Sequence, residues 1–269
     1  MLDKFEKHLR VSEPEISAIE LLSAHSEIPK SELKRIMQNG AVWLESNRGV
    51  ERLRRAKKIL HKGETLHLYY DAKVQAAEPA GAELIADEGG YSIWNKPSGM
   101  FSQGSKWGDK CTIYRWAEQN LKPQRPAFVV HRLDRAANGL IIIAHKKTLA
   151  TSFSAMFEHH RIYKKYRASV ECDLSELKLP FLINEALDNK VAISEIVAVQ
   201  KSDKNKTLVD VVIKTGRKHQ IRRHLSSMGC PIEGDRLYGA KNKNINLQLS
   251  AVSIRFICPI TGDEKEWNL

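Results

Sequence analysis

Residues 131–135 place one carboxylate among basic side chains, in the order His-Arg-Leu-Asp-Arg. Asp134 lies two residues after Arg132 and directly before Arg135, with His131 just upstream. A surface salt bridge contributes little to stability and needs no fixed spacing. A nearby guanidinium favours the ionised form of a carboxylate and orients it. The spacing therefore raises a second interpretation, in which the carboxylate is a nucleophile or base that acts on a polyanion.

The composition favours a soluble globular protein with a polyanionic partner. The 269-residue chain is 42% hydrophobic and has a formal net charge of +11, which favours nucleic acid or an anionic membrane without choosing between them. The N-terminus carries charges of both signs and no apolar run, so we expect no secretory signal. The most apolar stretch, residues 139–144, is far too short to span a bilayer.

The cysteines lie far apart and include no Cys-x-x-Cys pair: Cys111, Cys172, Cys230 and Cys258. This spacing predicts neither a zinc site nor a disulfide framework. We therefore expect a reduced, cytoplasmic protein without a bound metal. Nothing in the sequence demands a partner subunit, so we also expect a monomer.

A change in composition near residues 75–83 divides the chain. This segment is rich in small residues, contains a proline and a glycine, and lacks apolar periodicity, as linkers do. We predict a first domain over residues 1–75, a linker over 76–82 and a second domain over 83–269.

The first domain combines two helical patterns with two strand patterns. Apolar residues at helical spacing predict helices over 16–24 and 31–40, and residues 41–45 and 64–71 are typical of strands. The strands are joined by a basic connection, residues 51–62, which holds six lysines or arginines against one glutamate. Such a charge run is usually a solvated face, although its single sign favours RNA.

This order of elements resembles the small αL RNA-binding domain named after a small-subunit ribosomal protein, over roughly residues 16–72. One departure is the long basic insert between the strands. The resemblance implies that basic side chains of this domain contact RNA. The candidates are Lys34, Arg35, Arg52, Arg54, Arg55, Lys57 and Lys58.

The second domain mixes strands and helices without strict alternation. A hairpin is predicted over 83–95, a central apolar strand over 139–145, and helices over 112–121, 148–160 and 217–229. We therefore expect an α+β fold with a large mixed, mainly antiparallel sheet and flanking helices, preceded by a small α/β RNA-binding domain.

Four stretches of this domain resemble, in order, the motifs of the RluA-type pseudouridine synthases. They are NKPSGM (95–100), HRLDRAANGL (131–140), KKYRA (164–168) and TGRKHQIRRHLSSMGCPIEGDRLYG (215–239). One short motif would be weak evidence, but four in the right order are specific. The resemblance runs from about residue 83 to the C-terminus.

The resemblance implies an isomerase that converts uridine in RNA to pseudouridine. The bond between the base nitrogen and the sugar breaks, the uracil turns, and carbon 5 bonds to the sugar, so no cofactor is required. By resemblance Asp134 is the catalytic aspartate, Arg222 is its arginine partner, and Tyr166 is the active-site tyrosine that stacks on uracil or exchanges a proton. The sequence alone does not choose Arg222 over Arg223.

The same resemblance implies a set of substrate contacts. Arg132 is expected to fill the space that the flipped base leaves or to hold its phosphate. His131 is a weaker candidate, because a histidine there can simply hold the loop by hydrogen bonds. The candidate phosphate contacts are Lys96, Arg217 and His219, with Lys218 beside them.

Two departures from the family pattern stand near the motifs. Ala137 and Asn138 replace the usual Thr-Ser before Gly139, and Ser250 stands where a later strand of the family often has histidine. The lost hydroxyls put the rigidity of the catalytic loop in doubt rather than the acid itself. We expect activity to survive both changes.

Two alternatives remain open. A hydrolytic N-glycosidase would need a second carboxylate, for which Glu233 and Asp235 are the candidates. A catalytically lapsed RNA-binding or ribosome-assembly factor would explain the altered loop, but has no need to keep the catalytic set. The preferred prediction is an isomerase acting on structured RNA, with ribosomal RNA favoured over transfer RNA by analogy with the αL domain.

Overall fold

The computed structural model describes residues 3–12, 15–203, 206–240 and 244–269 of the chain. Its contacts divide the chain into two units. The first unit comprises Met1–Ala80 and Gln103–Trp116, and the second comprises Gly81–Ser102 and Ala117–Leu269. The sequence patterns did not predict that Gln103–Trp116 would group with the N-terminal residues.

The first unit contains a four-stranded antiparallel sheet in the order β1-β4-β2-β3 within the described residues. Its elements are β1 (Lys4–Arg10), α1 (Ala18–Ala24), α2 (Lys30–Gln38), β2 (Val42–Ser46), β3 (Gly49–Arg52), β4 (Thr65–Asp71) and α3 (Ala72–Ala76). The two longer helices and strands β2 and β4 fall where the apolar patterns predicted them.

Local sequence explains the helices of this unit. Ser17 and Glu20 form a capping box, which satisfies free backbone N–H groups at the start of α1. On α2, Leu33, Ile36 and Met37 are fully buried in the core. Strand β1 was not predicted, because its residues are mostly exposed and give no apolar alternation that would mark a strand.

The second unit is built on a large sheet, ordered β10-β11-β12-β9-β13-β8-β6-β5, with β14 beside β13 and β7 beside β8. The strands are β5 (Glu83–Asp87), β6 (Tyr91–Lys96), β7 (Phe128–Val129), β8 (Asn138–Ala144), β9 (Tyr163–Val170), β10 (Phe181–Asn184), β11 (Ile193–Asp203), β12 (Lys206–Ile213), β13 (Leu249–Ile257) and β14 (Glu264–Asn268). The helices are α4 (Ile113–Asn120, which begins in the first unit), α5 (Lys147–Glu158) and α6 (Gln220–Ser227).

The sheet is mixed and mainly antiparallel, which confirms the predicted fold class. Among the pairs between described strands, only β13 with β8 is parallel. Strand β8 is apolar from Gly139 to Ala144, where every residue is buried. Leu140 and Ile142 of β8 pack with Phe153 of α5 in the core of this unit.

One inference from the cysteine spacing is wrong. Cys172 and Cys230 form a disulfide, with a Cα–Cα distance of 5.2 Å, between the end of β9 and the segment that follows α6. They are 58 residues apart in sequence, so their spacing gave no signal of the pairing. In the described part of the chain, the helices are too short or too polar to cross a membrane.

Candidate active site

The loop between β7 and β8 carries Asp134 and is held by the segment that follows β6. Ser98 Oγ donates to the Ala136 carbonyl at 2.7 Å. Ser102 Oγ donates to the Leu133 carbonyl at 2.7 Å and accepts from the Leu133 N–H at 3.0 Å. These bonds flank Asp134 on both sides, so the loop is fixed without the hydroxyls that the family pattern places after it.

Lys96 holds the same loop through hydrogen bonds to backbone carbonyl groups. Its Nζ lies 3.0 Å from the Pro97 carbonyl, 3.0 Å from the Met100 carbonyl and 2.6 Å from the Ala137 carbonyl. Burial lowers the pKa of Lys96 to about 8, against the opposing charge of Asp134. The prediction that Lys96 contacts phosphate is wrong, because all three protons of the buried ammonium are used by carbonyl groups.

The departures from the family pattern compensate one another. Asn138 Nδ2 donates to Ser250 Oγ at 3.2 Å across the parallel pair of β8 and β13. Gly139 follows with a φ of +111°, and a Cβ there would lie 2.4 Å from the Ala251 carbonyl oxygen. Asn138 and Ser250, two of the replaced residues, thus bind each other where β8 pairs with β13.

Arg222 of α6 reaches Asp134, as the resemblance implied. Its Nη1 lies 3.3 Å from Asp134 Oδ2, while Nε and Nη2 each lie 2.8 Å from the two oxygens of Asp235. Burial and the Asp235 contact oppose each other at Arg222, and the net effect raises its pKa. Asp235 therefore holds the planar guanidinium as a fixed, charged group that faces Asp134.

His219 faces the second oxygen of the same carboxylate. Its Nε2 lies 3.8 Å from Asp134 Oδ1, and its Nδ1 lies 2.9 Å from the hydroxyl of Tyr238. Burial lowers the pKa of His219, although Asp134 acts in the opposite direction. A neutral imidazole facing an anion carries its proton on Nε2, so Nδ1 accepts from Tyr238. His219, which was predicted to contact phosphate, thus lies beside the Asp134 carboxylate.

The backbone at His219 is left-handed, with φ at 54° and ψ at 30°, just before α6 begins. This conformation is uncommon for a residue other than glycine and marks constrained backbone. Gln220 secures the turn, since its Nε2 donates to the Ile193 carbonyl at 2.9 Å and its Oε1 accepts from Thr215 Oγ1 at 2.7 Å. The turn therefore aims His219 and Arg222 at one carboxylate.

Tyr166 lies in β9, between β12 and β13. Its ring is buried, and burial together with the charge of Asp134 raises the pKa of the phenol well above its usual range. Tyr166 is therefore neutral at physiological pH. It can stack on a base or donate a proton, but it is a poor proton acceptor.

His131 has a structural place. Its Nε2 accepts from the Ile142 N–H at 2.9 Å, and its ring stacks on Phe157 at 4.3 Å between centroids. Burial, aided by Lys164, lowers the pKa of His131 to about 3. The assignment of His131 to substrate binding is wrong, because the neutral ring holds the loop against β8. Arg132, by contrast, is exposed.

Several basic candidates are held by other protein groups. Arg217 Nε donates to the Val191 carbonyl at 2.9 Å. In the first unit, Arg54 Nη2 lies 2.5 Å and Arg52 Nε 3.4 Å from Oδ2 of the buried Asp109. Both guanidinium groups therefore neutralise this acid, and the contact of Arg52 and Arg54 with RNA stays a prediction.

The remaining candidates of the first unit lie at the surface or close to it. Lys34, Arg55 and Lys57 are exposed, and Lys58 is half-buried. Arg35 is exposed and forms an ion pair of 2.6 Å with Glu32 on the same helix.

Sequence reasoning missed Asp235 and Tyr238 as parts of this site. Asp235 Oδ1 also accepts from the Tyr238 N–H at 3.2 Å, and the Arg222 guanidinium lies 5.1 Å from the centre of the Tyr238 ring. The signal was present in the Gly-Asp-Arg-Leu-Tyr sequence of the fourth motif. Only the fold shows that these side chains support Arg222 and His219.

Comparison with known proteins covers the part of this site that holds Asp134, Tyr166, His219 and Arg222. A family model described as RNA pseudouridylate synthase matches residues 90–227. The chain belongs to this family, and it is an enzyme that isomerises uridine to pseudouridine in RNA.

Two relatives differ in how much of the chain they match. The tRNA pseudouridine synthase C of Vibrio parahaemolyticus is 30% identical over 69% of this chain and 89% of its own. The ribosomal large subunit pseudouridine synthase C of Pasteurella multocida is 28% identical over 90% of this chain and 82% of its own. The solved structure of human RNA pseudouridylate synthase domain containing 1 has the same fold, with a TM-score of 0.57 and 19% identity over 70% of this chain and 85% of its own.

Proposed function

We propose that Asp134, Tyr166 and Arg222 carry the isomerisation in this chain. The observation that supports this assignment most is the position of the Asp134 carboxylate. Its two oxygens face Arg222 at 3.3 Å and His219 at 3.8 Å, and its side chain is 27% exposed. Arg222 and His219 thus orient the carboxylate, and its exposed part is accessible to a substrate.

Asp134 acts at the sugar of the target uridine, as nucleophile or as base. When the glycosidic bond breaks, the uracil turns so that carbon 5 faces the sugar. A bond then forms between carbon 5 and the sugar, the carbon 5 proton leaves, and the former glycosidic nitrogen gains a proton. Atoms balance without water or a cofactor, and the reaction needs a positioned carboxylate more than a strong acid.

The raised pKa of Tyr166 makes it a poor acceptor for the proton that leaves carbon 5. Its raised pKa favours a role in stacking on uracil or in donating a proton, rather than in accepting one. Asp134 and the neutral imidazole of His219 are the candidate acceptors for this proton. The exposed Arg132 remains the candidate for the space that the flipped uridine leaves.

The hydrolytic alternative loses support from the partners of its two candidate acids. Asp235 is hydrogen-bonded through both oxygens to Arg222. Glu233 accepts from Lys206 at 2.5 Å and from Ser169 at 2.8 Å. Activating a water would require a carboxylate with a free oxygen.

Ribosomal RNA is the proposed substrate class, with transfer RNA the runner-up. The match to the ribosomal enzyme of Pasteurella multocida extends over 90% of this chain, while the match to the tRNA enzyme of Vibrio parahaemolyticus covers 69%. A shared N-terminal region favours a shared substrate. We further propose that this region is an αL-type RNA-binding domain over residues 1–75, joined by a linker over 76–82 to a catalytic domain over 83–269, and that the protein works as a monomer in the cytoplasm.

Tritium release tests this proposal. Cells that lack the gene are grown with uridine labelled at carbon 5, and their ribosomal and transfer RNA fractions are incubated separately with the purified protein. We expect tritium release from ribosomal RNA without free uracil. Release from transfer RNA alone would overturn the substrate class, and free uracil would indicate hydrolysis. No release from either fraction, with RNA binding intact, would favour the lapsed RNA-binding factor.

A further inference from the structure

Phe101 is a large apolar side chain that the fold leaves at the surface beside the catalytic loop. It is 42% exposed, whereas most large apolar residues of this unit are buried. The guanidinium of Arg135, the residue after Asp134, lies 4.5 Å from the centre of its ring. An exposed ring that packs on an exposed arginine adds little to a core, and part of its surface stays accessible to a ligand.

The ring is anchored to the loop that carries Asp134. The Gly99 N–H donates to the Arg135 carbonyl at 2.7 Å, and Arg135 Nε donates to the Gly99 carbonyl at 3.1 Å. On the other side of Phe101, Ser102 exchanges two hydrogen bonds with Leu133. Phe101 is therefore held on both sides by the catalytic loop, at a fixed place relative to Asp134.

The chemistry of this pair matches that of an unpaired nucleotide. An aromatic ring at the surface offers a face on which any base can stack, and a guanidinium beside it can pair with a phosphate or stack as well. Arg132, also exposed, adds a second positive charge in the same loop. The family to which the chain belongs acts on RNA, which supplies such a ligand.

We propose that Phe101 and Arg135 form a stacking subsite for the base next to the target uridine. This proposal rests on the proposed role of Asp134. An enzyme that acts on a flipped base must offset the unstacking of its neighbours. The Phe101 ring replaces the stacking partner that the neighbouring base loses, and Arg135 holds the adjacent phosphate. Because stacking tolerates every base, the subsite stabilises the flipped state without reading sequence.

The test uses Phe101→Ala and Phe101→Tyr, with Leu182→Ala as the matched control. Leu182 is 57% exposed on the edge strand β10. Single-turnover tritium release is followed with RNA from cells lacking the gene, at increasing enzyme concentration. We expect Phe101→Ala to raise the half-saturating concentration about fivefold or more, the lower range for one stacked base. Phe101→Tyr keeps the ring and stays close to wild type, as does Leu182→Ala.

A second measurement keeps the subsite testable if the proposed function fails. Binding of a fluorescein-labelled twelve-residue oligouridine is measured by anisotropy for the same proteins. If no protein releases tritium, weaker binding by Phe101→Ala with recovery in Phe101→Tyr still supports the subsite. Equal affinity and equal release for Phe101→Ala and wild type would overturn it. Equal losses in Phe101→Ala and Phe101→Tyr would also overturn it, since they would show that the ring supports the loop instead of a base.

Discussion

Two aspartates of this chain are each surrounded by arginine, one in each unit, and only one of them is open to a ligand. Asp109 in the first unit has a fully buried side chain. It pairs with Arg52 and Arg54 and accepts a hydrogen bond from Tyr114. Asp134 in the second unit is 27% exposed.

The difference lies in the exposure of each carboxylate and in the number of guanidinium groups that face it. Asp109 takes two guanidinium groups, and burial together with this acid raises the pKa of Tyr114, so the cluster is a closed ion pair. Asp134 shares its single arginine, Arg222, with Asp235. The nearest guanidinium nitrogen lies 3.3 Å from an oxygen of Asp134 and 2.8 Å from an oxygen of Asp235. Arginine neighbours therefore do not distinguish a structural acid from a reactive one. The exposure of the carboxylate does.

The largest expected effect on stability is at Asp109. Asp109→Asn leaves Arg52 and Arg54 mostly buried without their counter-charge, so we expect the free energy of unfolding to fall by about 3 kcal/mol. Urea unfolding measures this change. Asp188→Asn is the control, because it removes an exposed ion pair with Arg223 and should leave the midpoint unchanged. Equal midpoints for the two variants would show that the Asp109 cluster does not hold the first unit together.

The next effect is on the orientation of Arg222. Asp235→Asn removes the charge that fixes the guanidinium, and a displaced partner of Asp134 should slow single-turnover isomerisation about 100-fold. Glu233→Gln changes another acid of the same motif, paired with Lys206, and is expected to keep the rate within a few-fold. Similar losses in both variants would indicate a general disruption of the motif.

A smaller effect is expected at His219. His219→Gln retains a donor but cannot take up a proton, and should lower the rate about tenfold. The lowered pKa keeps the wild-type imidazole neutral at pH 7, and acid protonates it beside Asp134. The wild-type rate should therefore decline on the acid side of neutrality, while the pH profile of His219→Gln should lack that limb. Parallel pH profiles for wild type and His219→Gln would show that His219 takes no part in the reaction.

The smallest effect is a pH dependence of stability at His131. Its folded pKa of about 3 lies below the usual 6.5, so the unfolded chain binds the proton more readily and stability falls as the pH drops below 6.5. The slope is at most about 1.4 kcal/mol per pH unit. His131→Asn keeps an acceptor for the Ile142 N–H and should show a shallower slope between pH 7 and 5 in urea unfolding. An unchanged slope would contradict a neutral His131 ring in the folded protein.

The family resemblance identified Arg222 as the partner of Asp134, and it named His219 as a phosphate contact, although the structure places His219 beside the same carboxylate. The same reasoning failed for Lys96 and His131. Lys96 ends strand β6 and His131 lies in the loop before β8, and the partners of both are backbone groups that sequence does not reveal. The family resemblance had suggested substrate contacts for both.

The fold was predictable where apolar periodicity was strong, as in β8, α5 and α2. It was not predictable where a contact joins distant residues without a pattern. The pairing of Cys172 with Cys230 and the grouping of Gln103–Trp116 with the first unit are of this kind. Asp109, in the latter segment, explains that grouping physically, since two arginines of the first unit neutralise it.

The most direct test of the central claim compares Asp134→Asn with Asp188→Asn and wild type. Tritium release from uridine carbon 5 and RNA binding are measured for each protein. We expect Asp134→Asn to fold and bind RNA as wild type does and to release no tritium, while Asp188→Asn keeps full activity. Release by Asp134→Asn at the wild-type rate would show that another group is the catalytic acid and that the arrangement around Asp134 is structural.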